Sequence, residues 1–336
     1  MINYICDLKV QNSAVLMMKK TFYLLVCSVF LMACKKEGSV KEGVLDIPVE
    51  VTIERFDQEF MASAPENFVS LKQKYPYLLI DGIPDSVWFN KKSDTLFQQL
   101  YEETQKKFPD LSGLKEELTL LFQHIKHYYP NENPGKVITL LSEVDVMSRS
   151  IYTDSLALIS LDTYLGKDHK FYVDFDTYLL SDFEPERIVV DLAENFASQK
   201  TIYPQDRAFV SQMVYWGKII YMKEMLLPKV SDALKMGYSE EQLQWIENNE
   251  TQVWKYFVES KYLFDNDVKL IARFIQRAPF SKFYLELDQE SPGSVGVYIG
   301  WQIVRSYMKN NNVTLQEMVL QDAKTIFEQS KYKPKK

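Results

Sequence analysis

The chain carries one short oily run, Phe22–Ala33, with Lys19 and Lys20 ahead of it and Cys34, Lys35 and Lys36 directly after it. As a helix, its 12 residues would rise about 18 Å. The hydrocarbon core of a bilayer is about 30 Å thick, so the run is too short to span one. A positive start, a short apolar core and a small residue at the end describe an export signal, not the first helix of a folded body. Residues 1–33 are therefore expected to be removed. Asp7 and the polar residues ahead of the lysines fit no signal peptide, which points to Met18 as the true start.

The end of the run is more specific. Leu31-Met32-Ala33-Cys34 resembles the lipobox of bacterial lipoproteins. That resemblance implies diacylglyceryl transfer to the Cys34 thiol, cleavage between Ala33 and Cys34, and acylation of the freed amino group. At about 0.8 kcal/mol per buried methylene, two or three acyl chains hold a protein durably. Residues 34–48 then read as a charged tether, and the membrane is the first expected partner.

What folds is the remainder, and it is cysteine-free. Cys6 and Cys27 lie before the cut and Cys34 bears the lipid, so neither a disulfide nor a thiolate metal site is expected. With 46% hydrophobic and 25% charged residues the chain has a globular composition. Losing residues 1–33 removes three lysines and one aspartate, which takes the net charge from −7 to −9. An acidic body with no basic stripe excludes nucleic acid as a partner.

Patterning predicts an α+β domain over 49–330, predominantly helical with a small central sheet, followed by a basic tail at 331–336. Val49–Phe56 alternates with period two and reads as a strand, with Asp57 placed to cap a helix. Ser93 or Asp94 caps a stronger helix, and Leu111 to Tyr129 places one apolar face on another. "KVITLL", "SIYT" and "LALISL" read as short strands. Beyond 184 the chain is helical again, with Pro185 in a tolerated first-turn position and further helices near 205–226, 239–260, 265–276, 294–310 and 314–328.

Chemistry is sparse. His124 and His127 are three apart on one helix, but no third ligand is near, so they read as partly exposed surface residues. His169 beside Asp168 lacks a nucleophile motif. No phosphate-binding loop or dinucleotide fingerprint occurs. Gly296 and Gly300 suit the close approach of another helix, and Trp245, Trp254 and Trp301 lie in apolar helical stripes suited to a core. Asp191 and Glu194 read as a solvated acidic face. Asp162, between apolar neighbours and a turn, must be paired or capping something.

Five blocks, "VEVTIERFDQEF", "ISLDTYLGKDHKFY", "YWGKIIYMKEMLLP", "QLQWIENNETQVWKYF" and "SPGSVGVYIGWQIVRSYM", together with the lipobox, resemble the GldB family of gliding-motility lipoproteins of Bacteroidota. The resemblance runs from Cys34 to near Phe327. It implies a component of the cell-envelope apparatus for movement over surfaces, tied to the type IX secretion route that exports adhesins. Other gliding-motility and secretion proteins of the envelope would be its partners. It implies no enzymatic activity, no catalytic residue and no cofactor. A lipid-anchored position on the periplasmic face of the outer membrane is expected.

GldB-like chains are in turn similar to zincin-type metallopeptidases, which place H-E-x-x-H on a helix. Here the corresponding helix, "PERIVVDLAENFASQ", contains no histidine, and Trp216 precedes Gly217 on the next helix where a peptidase might carry an acid. No metal site is expected. The alternative reading is a degenerate hydrolase or peptide-binding protein of the periplasm, its former active site lined by Asp162, Asp168 and His169.

Overall fold

The computed structural model describes residues 43–133, 135–286 and 288–335. Ala33 and Cys34 lie outside the described residues.

Four short strands form one sheet: β1 (Thr52–Arg55), β2 (Lys136–Leu140), β3 (Ser150–Tyr152) and β4 (Ala157–Ser160). Their order is β1-β2-β4-β3; β1, β2 and β4 run parallel, and β3 closes one edge antiparallel to β4, with Ile151 opposite Leu158. The three runs expected as strands therefore pair as one sheet. Alternation along β2 sends neighbouring residues to opposite faces. Val137 enters the main core, whereas Ile138 enters a smaller one with Phe60, Phe68, Leu71, Tyr75 and Phe97.

Five helices precede β2: α1 (Phe56–Ala62), α2 (Phe68–Lys74), α3 (Asp85–Ser93), α4 (Thr95–Lys107) and α5 (Ser112–Tyr128). After β4 come α6 (Arg187–Lys200), α7 (Phe209–Leu226), α8 (Asp232–Met236), α9 (Glu240–Glu259), α10 (Lys269–Phe274), α11 (Val295–Asn310), α12 (Leu315–Leu320) and α13 (Ala323–Ser330). The fold is thus α+β and predominantly helical, as expected.

Local chemistry accounts for most of the boundaries. Asp94 caps α4, accepting from the Phe97 amide at 2.9 Å. Ser239 and Gln242 close a reciprocal capping box on α9. Gly237 ends α8 in the left-handed conformation, φ +70°.

The centre of the helical part is α7 against α11. A Cβ on Gly300 would overlap the Met213 carbonyl, and one on Gly217 would overlap the Gly300 backbone, so only glycine permits this approach. Trp301 is fully buried beside the contact, while Trp245 and Trp254 are half-buried against the same core.

Four expectations change. Asp57 does not cap a helix: α1 begins at Phe56, and Asp57 is buried as a hub, bridged to Arg55 at 2.7 Å and accepting from the Thr139 hydroxyl at 2.5 Å. The helix expected over 314–328 is two helices, because Gln321 is extended and Asp322 caps a new start through the Thr325 amide. His124 is not on the surface; it is 2% exposed, with Nδ1 2.8 Å from the Leu120 carbonyl. Finally, Asp191 and Glu194 do not form a solvated acidic face: Asp191 is buried against Arg187, and Glu194, though its side chain is 38% exposed, is paired with the buried Lys223. The sequence 331–335 also runs back along α9, where the Tyr332 hydroxyl donates to Glu250 at 2.8 Å.

Candidate functional site

Helical spacing sets the site. Arg187, Asp191, Glu194 and Asn195 follow one another at i, i+4, i+7 and i+8 on α6, so they share a face. Gln212, Trp216 and Lys223 do the same on α7. Between these faces lies a cavity of about 610 Å³, within the usual size for small-ligand sites. Arg149 and Ser150, at the edge strand β3, close one side. Asp182, from the 3-10 segment Thr177–Phe183, closes another, with Arg277 beyond α10 and Ser294 and Val297 at the start of α11.

The charges are held in pairs. Arg187 donates to Asp191 at 2.7 Å and to the Leu234 carbonyl at 2.6 Å. Asp191 also accepts from the Tyr164 hydroxyl at 3.0 Å and lies 3.6 Å from Arg149. Arg277 donates to Asp182 at 3.0 Å, and Arg149 donates to the Asp182 carbonyl at 2.9 Å. Lys223, 1% exposed at its side chain, donates to Glu194 at 2.7 Å.

Burial and neighbours move the titrations. Burial pushes Asp191 up, against the pull of Arg187 and Arg149. Burial also works against the Glu194 carboxylate, yet Lys223 and Arg187 hold it down at about 2. The Lys223 ammonium is pushed down by its burial, with Glu194 opposing. The Nε of Arg187 is buried without a hydrogen bond, with Asp182 Oδ1 3.8 Å away.

Backbone strain gathers at the rim. Glu143 and Val144 both sit at φ 60°, just ahead of Val146 and Met147 in the cavity wall, and Ser294 sits at φ 58°. A left-handed β-branched residue costs on the order of 1–3 kcal/mol and persists only where its surroundings fix it. Asp162 does so here: its carboxylate accepts from the Val144 amide at 2.7 Å and the Ser142 amide at 3.0 Å. The expectation that Asp162 must be paired is met by these bonds.

Zinc does not fit this site. Asp191 is committed to Arg187 and Tyr164, Glu194 to Lys223, and Asn195 and Gln212 offer only amides. No group of three His, Cys, Asp or Glu able to hold a metal ion occurs among the described residues.

Of the residues singled out from sequence, Asp162, Asp168 and His169 do not line this cavity. Asp168 is exposed. His169 instead accepts from the Phe171 amide at 3.4 Å and stands 3.6 Å from Glu103. Burial lowers its pKa while Glu103 raises it. His127 packs its ring edge-on against Tyr128.

Arg149, Asp182, Arg187, Lys223 and Arg277 were not found from sequence. The one available signal was the opposite charge of Arg187 and Asp191 four positions apart on one helix, which a solvated face also shows.

The family model described as gliding motility protein GldB matches residues 37–334 of the chain. No curated protein and no solved structure matches it.

Proposed function

Because the chain belongs to the GldB family of gliding-motility proteins, we propose that it serves motility as a lipid-anchored, non-catalytic component of the cell envelope, linked to type IX secretion of adhesins. One observation carries this reading. In the cavity between α6 and α7, every carboxylate is held by a cation: Asp191 by Arg187, Glu194 by Lys223, Asp182 by Arg277. Glu194, held down by Lys223, is a poor general base because the adjacent charge opposes its proton affinity; burial raises Asp191 instead, and there the bonds from Arg187 and Tyr164 occupy both carboxylate oxygens. The same pairing opposes capture of a divalent cation. The protein then acts through contacts with other gliding-motility and secretion proteins.

Anchoring follows from the lipobox at Leu31–Cys34, and no helix among the described residues is long and apolar enough to cross a membrane. The proposed location is the periplasmic face of the outer membrane.

Two measurements test the reading. Metabolic labelling with palmitate should mark the native protein and leave Cys34→Ser unlabelled, uncleaved and non-motile. A labelled or fully motile Cys34→Ser strain removes the anchor from the proposal. Elemental analysis of the purified protein should find far less than one zinc per chain; stoichiometric zinc removes the non-catalytic part.

A further inference from the structure

The cavity between α6 and α7 has a charge balance unlike the chain around it. Lys235 in its wall is answered from just outside by Asp232 at 3.1 Å. The remaining four cations, Arg149, Arg187, Lys223 and Arg277, face three carboxylates, Asp182, Asp191 and Glu194. One positive charge is therefore left over, inside a protein whose net charge is −7. That excess calls for a ligand with a single negative charge, and guanidinium forks suit a planar carboxylate.

The cation best placed to meet a ligand is Arg277. Its side chain is 36% exposed, and one nitrogen engages Asp182. Its guanidinium lies over Gly237, where a Cβ would overlap Nη1. Asp182 and Gly237 thus hold the fork in place at the cavity mouth, with Arg149 deeper at 16%.

Two amides identify what accompanies the carboxylate. Asn195 commits its nitrogen to Ser150 Oγ at 3.0 Å and to the Asp191 carbonyl at 2.9 Å, which keeps its oxygen as an acceptor. Gln212, 7% exposed, commits its oxygen to the Tyr203 hydroxyl at 3.3 Å, which keeps its nitrogen as a donor. One donor and one acceptor are what a peptide unit requires. A fatty acid would cover both amides and satisfy neither, and buried polar groups left unpaired count against binding. Trp216 and Val297 supply an apolar wall for a side chain.

We propose that this cavity binds a short peptide segment by its carboxylate, with Arg277 and Arg149 taking the anion and Asn195 and Gln212 the adjoining peptide unit. The site as proposed binds without turning over. It rests on the cavity alone and stands whether or not Cys34 carries lipid, so its failure and that of the anchoring proposal are separable.

The test is fluorescence anisotropy with the full-length protein in detergent. The probes are labelled pentapeptide pools of apolar residues in three forms: free C-terminal carboxylate, C-terminal amide, and C-terminal amide with one internal glutamate. The free-acid pool should bind saturably, at least tenfold tighter than the acid-free amide pool. Arg277→Gln, at the exposed mouth, should weaken it at least tenfold while the protein remains folded at the assay temperature, as its melting curve would show. Binding by the glutamate-containing amide supports the proposal and assigns the carboxylate to a side chain. Equal binding of the acid-free amide pool overturns it. So does an unchanged affinity in Arg277→Gln, the absence of saturable binding by any pool up to millimolar concentration, or displacement by laurate at lower concentration than by free-acid peptide.

Discussion

At the residue scale, the tightest constraint is the missing side chain at Gly300. A Cβ there meets the Met213 carbonyl, which belongs to the rigid backbone of α7 and cannot rotate away. Gly300→Ala should therefore separate α7 from α11 and cost about 3 kcal/mol, the upper part of the range for overpacking, read as a lowered denaturant midpoint. The Glu194–Lys223 pair gives a pH signature. Glu194 titrates at about 2 in the folded protein, below its ordinary 4.5. A depressed carboxylate contributes stability that is full above its unfolded value and is lost as pH falls through the folded one. Glu194→Gln should accordingly lower the melting temperature at pH 6, and the difference from the native protein should shrink between pH 4.5 and 2. A difference that stays constant over that window would contradict the pairing. Sequence reached the glycines because Gly296 and Gly300 stand four apart on an apolar stripe. It could not reach Glu194–Lys223, whose members are 29 positions apart.

At the element scale, capping made boundaries readable where a side chain sits next to the amide it serves. Asp94 before α4 and Ser239 before α9 are of this kind. Ser239→Ala should cost about 1 kcal/mol, and in a double-mutant cycle Gln242→Ala should cost less in that background than in the native protein because the two bonds are reciprocal. Where the cap lies inside an apparent helix the pattern misleads. Leu315–Ser330 keeps helical spacing across Gln321 and Asp322, yet Asp322 starts a second helix. The polar side of α6 failed for a different reason. Periodicity tells which residues share a face, but whether that face meets water or another charged helix depends on α7 and Arg149. In this protein the charges meet across a cavity, and the sequence of α6 alone is the same in either case.

At the scale of the whole molecule, β2 divides the interior, with Val137 in the core shared by α6, α7 and α11 and Ile138 in the smaller core of α1, α2 and α4. The overall class was legible because strands and helices occupy separate stretches of sequence. The position of the cavity was not, because it is bounded by segments from Arg149 to Val297 that only the tertiary arrangement joins. Protease added to intact cells should leave the body uncut if it faces the periplasm, while the same protease should digest it after the outer membrane is opened.

The chain enters its sheet through β1, which lies at one edge and is bonded lengthwise to β2 from Thr52 opposite Lys136 to Arg55 opposite Thr139. A pull arriving from the residues ahead of Thr52 and directed along the strand bears on all rungs of that ladder together, instead of peeling them one by one. With the body held by its leading end, as proposed above, load along the strand would reach the sheet through this parallel ladder.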